Sequence, residues 1–175
     1  RRERALGLAR DAATPARAYG AAEELVTTAE AEAKALTAGR NETETEELRT
    51  ALGAGGTGKG AAGAIRGAAG AIKDLEKRQK SRQTRASRDA LDRALMDLAT
   101  YFRDALVVSA GAGGVTANHP DMHDKVAALA AHAPPDKLLR CIEAVLGCRE
   151  ALETNVKPKF AVDAMVATVG QALKS

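Results

Sequence analysis

The stretch AIKDLEKRQKSRQTRASRDALDRALMDLATYFRDAL, residues 71–106, decides the fold, because it contains neither Pro nor Gly. With its flanks it predicts one unbroken helix from about Ala64 to Ser109. The second half carries Leu91, Leu95, Leu98, Phe102 and Leu106 at steps of three and four, the single apolar stripe of a core-facing helix. Between Leu75 and Leu91 the turns instead carry Lys77, Arg78, Lys80, Arg82, Gln83, Arg85 and Arg88, so this part faces water or an acidic partner. At 1.5 Å per residue the helix spans roughly 65 to 70 Å, longer than a domain of this size is wide. A helix of that length protrudes or is shared with a partner.

Working outward, the composition excludes most other folds. Only 2% of the residues are aromatic, Trp is absent and Ala dominates the apolar fraction, which suits helices that approach closely. No period-two run of Val, Ile, Thr or Tyr extends beyond a few residues, so the fold class is all-α. The architecture expected is a long antiparallel helical hairpin followed by three shorter helices. A net charge of +3 permits acidic partners without requiring them. No stretch approaches the roughly 20 apolar residues of a membrane span. Cys141 and Cys148 lie too far apart along one helix for a disulfide and read as small core residues of a reducing compartment.

The segments before the long helix divide at Pro and Gly. Residues 1–10 read as a short basic helix ending near Thr14, beginning in mid-helix like the tail of a preceding domain, which gives boundaries of 1–13 and 14–175. Thr14 and Pro15 open a second helix whose buried side is marked by Tyr19, Ala22, Leu25, Val26, Ala29, Ala33 and Leu36. Gly39 interrupts it, and Asn41 with Glu44 forms a capping box that restarts it through the acidic block Glu42 to Glu47. Over 14–110 the hairpin turns at residues 53–63. Counting outward from that turn places Leu25 near Leu91 and Glu44 near Lys73. Lys80, Arg82, Arg85 and Arg88 then keep few acidic partners and are the cations most available to DNA or another subunit.

The turn holds GAGGTGKG, residues 53–60, which matches the phosphate-binding loop pattern except at its last position. Gly60 stands where the magnesium-binding hydroxyl belongs, and an acidic helix precedes the loop instead of a strand. Gly53, Gly58 and Lys59 therefore form a false phosphate loop, with no cofactor implied. A nucleotide-hydrolysing role for Lys59 is the weakest of the functional readings.

After a breaker-rich loop at residues 110–120, residues 120–175 hold the three closing helices. Met122, Val126, Leu129 and Ala130 mark the first. Leu138, Cys141 or Ile142, Val145, Cys148 or Leu146, and Leu152 mark the second. The last uses Phe160, Ala164, Met165, Thr168, Val169 and Leu173. Asn155 takes a left-handed or capping position in the joining turn, and Pro158 opens the last helix. His119, His123 and His132 lack ligands at zinc spacing and read as surface or capping residues, so no metal is implied. No nucleophile elbow, carboxylate pair or dinucleotide fingerprint appears, and no catalytic residue is assigned. The run Lys73, Lys77, Arg78, Lys80, Arg82, Arg85, Arg88 offers a nucleic-acid footprint as the alternative function, against a solvated helix face broken by Asp74, Glu76 and Asp89.

Residues 74–85, DLEKRQKSRQTR, with 88–106, RDALDRALMDLATYFRDAL, resemble the long collar helix of the delta-prime subunit of bacterial DNA polymerase III clamp loaders, especially its actinobacterial form. Residues 138–166, LLRCIEAVLGCREALETNVKPKFAVDAMV, resemble that family's final helix pair with its Asn-Val-x-Pro turn. Lys159 and Phe160 replace residues more commonly aliphatic or Arg. The resemblance implies a cytoplasmic, non-catalytic oligomerisation scaffold. Its partners are the other clamp-loader subunits of a hetero-pentameric collar, with DNA contact indirect and no membrane. It implies subunit packing through Asn155, Pro158, Phe160, Met165 and Val169.

Overall fold

The computed structural model describes residues 2–12, 14–53, 61–112 and 114–174. Among them every regular element is helical. The chain order is α1 Arg2–Ala12, α2 Pro15–Gly53, α3 Ala61–Ser109, a 3-10 turn Pro120–Met122, α4 His123–His132, α5 Pro135–Glu153 and α6 Pro158–Lys174. The all-α class and the long unbroken helix hold as read, with α3 beginning three residues earlier than the sequence placed it. Gly58 and Lys59 of the false phosphate loop lie outside the described residues, while Gly53 is the last residue of α2.

Two compact units form: Arg1–Ala29 together with Ala90–Ser175, and Glu30–Asp89. The division passes through α2 and α3 and not near residue 13. Residues read as the tail of another domain thus supply core to the first unit, where Ala5, Leu6, Leu8, Ala9 and Ala12 of α1 are buried in the same cluster as α6.

The first unit is held by apolar burial. Leu8, Leu25, Leu91, Leu95, Leu98, Phe102, Leu138, Val145, Val162, Val166 and Val169 are fully buried. Each such side chain contributes on the order of 1.5 to 3 kcal/mol. The α3 stripe is as read, except that Leu106 is only partly buried at the core's edge. In α5 the open alternatives resolve to Cys141 and Cys148, leaving Ile142 half-buried and Leu146 exposed. Where α6 meets α1, Gly170 is required: a Cβ there would run into the backbone carbonyl of Ala12.

Two helix ends close in the same way. At the end of α3 the Ala112 amide donates to Val107 and the Gly111 amide to Val108, with Gly111 at φ 69°. At the end of α5 the Val156 amide donates to Ala151 and the Asn155 amide to Leu152, with Asn155 at φ 65°. Both are paired six-to-one and five-to-two closures that satisfy the last carbonyls and need a left-handed residue. Asn155 and Pro158 play the backbone roles read from the sequence.

The second unit is held differently. Its buried apolar side chains among the described residues are Ala33 and Leu75, with Thr37 donating from Oγ to the Ala33 carbonyl at 2.9 Å. Polar bonds tie its two helices. Gln79 donates to the Asn41 carbonyl at 3.0 Å, and Arg82 donates to Asn41 Oδ1 at 2.7 Å and to both Glu44 oxygens at 2.8 and 3.0 Å.

Three readings are corrected here. Gly39 and Asn41 do not break α2, which runs through both. One helical Gly costs only about 1 kcal/mol relative to Ala, and the Arg40–Glu44 pair four residues apart spans the site. The stripe of α2 passes through Ala18, Ala22, Leu25, Ala29, Ala33 and Thr37, leaving Tyr19 and Leu36 each 68% exposed, because steps of four carry the buried line past them. The hairpin register is also displaced. Glu44 meets Arg82, nine residues beyond Lys73.

Candidate functional site

The displaced register redistributes the charges of the second unit. Arg82, counted above among the cations left available, is the one most engaged: Glu44 and Asn41 hold it, and its side chain is 24% exposed. Lys73 and Lys77, placed beside the acidic block by the earlier count, make no ion pair among the described residues, nor do Arg78 and Lys80. Arg85 reaches only Ser81 Oγ, at 3.5 Å. Arg88 is exposed on the same helix and has interactions of its own. Hydrogen bonds from Arg40 and then Arg82 hold the Glu44 carboxyl below its ordinary pKa.

Of the residues implied for subunit packing, Phe160 is 60% exposed in the first turn of α6, and Pro158 is half-buried at its start. Met165 and Val169 lie in the core of the first unit and offer no outer surface. The buried face of α6 runs through Ala161, Val162, Met165, Val166, Val169 and Gly170, centred roughly 180° around the helix from Phe160, which therefore points away from that core. On α5, Leu139, which the sequence reading overlooked, and Leu146, which it offered as an alternative to Cys148 in the stripe, are exposed two turns apart. Arg149 ties α5 to α3 through a two-pronged bond to Asp92 at 2.6 and 3.2 Å. That bond raises the Arg149 pKa further.

The loop after α3 is organised by a carboxylate that sequence reasoning missed. Asp104 is 2% exposed and accepts from the Asn118 amide at 2.8 Å, the His119 amide at 2.8 Å, the Asn118 side chain at 3.1 Å and Arg103 at 2.9 Å. Burial alone pushes its carboxyl up. The bonds from Asn118, Arg103 and His119 together outweigh burial and hold it below its ordinary value. The available signal was a charge on the core-facing side of α3, two residues after Phe102. His119, read as a surface or capping residue, is instead 4% exposed, with Nε2 within 2.9 Å of Thr100 Oγ1 and 3.1 Å of the Asp97 carbonyl. The loop fold carries it inward. His123 and His132 are exposed.

No group of three metal-ligating side chains occurs among the described residues. Cys141 and Cys148 are free thiols, and burial pushes both up to about 12, which makes them poor nucleophiles. A cavity of about 570 Å³ between α1, α3, α4 and α6 is lined by Leu6, Ala9, Tyr101, Leu129 and Ala133 together with the polar residues Glu3, Arg10, Lys125 and His132. Among the described residues no helix is long and apolar enough to cross a membrane.

The segment carrying the second half of α3, the Asp104 loop, α4, α5, the Asn155 closure and the first turn of α6 is the one that known families recognise. Residues 84–160 match the family model of the DNA polymerase III delta subunit, C terminal. The match is a likeness of this segment to that family. It covers less than half of the chain. Comparison with curated proteins and with solved structures gives no match.

Proposed function

We propose that this chain is a non-catalytic oligomerisation scaffold: the helical collar region of a DNA polymerase III clamp-loader subunit, which packs beside its counterparts in a hetero-pentameric ring and supports ATP-driven clamp loading. The observation that carries the reading is the delta-subunit match over residues 84–160. That segment supplies Leu91, Leu95, Leu98, Phe102, Leu138 and Val145 to one apolar core. The matched family is the delta subunit's, whereas the long-helix and Asn-Val-x-Pro resemblance points to delta-prime. Both assignments give the same scaffolding role.

Exposed apolar residues are the natural contacts, and Phe160, Leu139 and Leu146 are the most exposed leucines and phenylalanine of the matched segment, which also presents Met96, Val108, Val115 and Val156. Co-expression with the other clamp-loader subunits, followed by size-exclusion chromatography with light scattering, tests the assignment. The chain is expected to elute within a five-subunit assembly and to leave it when Phe160→Asp and Leu146→Asp are combined. A chain that elutes alone from the mixture, with its own helicity intact, overturns the reading.

A further inference from the structure

Four arginines of the second unit converge on one concavity. Arg40 of α2 and Arg78, Arg82 and Arg85 of α3 line a hollow of about 500 Å³ together with Ser81 and Asp89. Positions 78, 82 and 85 stand one turn apart on a single helix face, a spacing at which like charges repel. Among the lining residues Asp89 is the one carboxylate against four cations, and Glu44 beside them accepts from Arg40 at 2.9 Å and Arg82 at 2.8 Å. Arg40 and Arg82 are braced by Glu44. Arg78 makes no hydrogen bond or ion pair among the described residues, and Arg85 makes only the long contact to Ser81. Lys77 and Lys80 are exposed on the same helix.

The chemistry of the hollow selects its ligand. A guanidinium presents a planar fork that matches phosphate oxygens two at a time. Bases of a single strand are held by stacking on aromatic rings. Residues 30–89 contain no Phe, Tyr or Trp. A membrane surface is likewise disfavoured, since Ala86 is the apolar lining and nothing there inserts. A backbone of regularly spaced phosphates remains.

We propose that this four-arginine hollow is a sequence-independent contact site for the phosphodiester backbone of duplex nucleic acid. Arg78 and Arg85 touch phosphate, while Arg82, fixed by Asn41 and Glu44, shapes the hollow. The proposal stands on the second unit's own geometry and does not require the clamp-loader reading.

The test is fluorescence anisotropy of the full chain with a labelled duplex of about 20 base pairs over a salt series. A single-stranded oligothymidylate of equal length and phosphatidylserine vesicles serve as the other arms. The duplex is expected to bind most tightly. Arg78→Ala with Arg85→Ala should weaken it about tenfold at low salt and flatten the slope of log K against log salt by about 2. Lys125→Ala with Arg140→Ala removes the same charge from the first unit and should change affinity less than about twofold if phosphate contact is local. Arg78→Lys with Arg85→Lys keeps the charge and should restore the salt slope. An equal loss in the first-unit control, full affinity in the Arg-to-Ala pair, or tighter binding to the single strand or the vesicles overturns the proposal.

Discussion

The two units are made from the same helices yet held by opposite means. In the first, α1, α3, α5 and α6 bury leucine, valine and phenylalanine around Gly170 and the Asp104 loop. In the second, Ala33 and Leu75 are the buried apolar side chains among the described residues, and Gln79, Arg82, Asn41 and Glu44 supply the cross-helix bonds. Apolar burial is insensitive to salt, whereas exposed ion pairs contribute little and are screened. A helix can therefore be rigid at one end and polar at the other without a breaker between them.

The largest perturbation should be Gly170→Ala. The new methyl meets the Ala12 carbonyl, and α1 and α6 must part or shift. Overpacking against backbone is expected to cost about 3 kcal/mol, read as a loss in urea or thermal unfolding. The same substitution at Gly39 in the second unit meets nothing within 4 Å and should stabilise. One change of residue, with opposite signs in the two units, sharpens the comparison.

Next in size is Asp104→Asn, which takes a charge from four donors inside the first unit and should cost about 2 kcal/mol at neutral pH. Because the folded carboxyl lies below its ordinary value, its contribution is complete above the unfolded pKa of about 3.9 and is lost as pH falls through the folded value. The gap between wild type and Asp104→Asn should accordingly narrow as unfolding is measured from pH 6 toward acid, by roughly one residue's linkage. A gap that widens in acid contradicts the assignment.

A smaller effect is expected at the closure between α5 and α6. Asn155→Leu places a γ-branched residue at φ 65° and should cost about 1 kcal/mol, while Asn155→Gly should be neutral. Smallest is Gly39→Ala, a gain of roughly 0.5 to 1 kcal/mol where the backbone is already helical, seen as a higher unfolding midpoint.

The periodicity of residues 91–106 made the first unit's central helix legible, because leucines at steps of three and four have one consistent burial. The turn at Asn155 was legible for a similar local reason: few residues other than Gly and Asn adopt a left-handed backbone. What failed needed distance information. The register of α2 against α3 is set by pairs across the two helices, and Glu44 bonds Arg82 instead of Lys73. The capping-box pattern at Asn41 lies inside a continuous helix and is not used, since the Asn41 side chain accepts from Arg82 across the pair. Met165 and Val169 were assigned outward by resemblance, although the α6 face containing Val162 and Val166 is the one the core takes. Asp104, His119 and Gly170 act through residues distant in sequence, and beyond the charge of Asp104 on the core-facing side of α3 spacing carries no trace of them.

Native-state hydrogen exchange at low and high salt tests the contrast between the units most directly, because it reads each helix segment separately. Residues 91–105, 138–152 and 161–172 should exchange only with global unfolding and should be indifferent to salt. Residues 33–50 and 70–86 should exchange faster, and faster still in high salt as the Arg82–Glu44 and Arg40–Glu44 pairs are screened. Equal, salt-independent protection of the two sets would contradict the division into an apolar unit and a polar one.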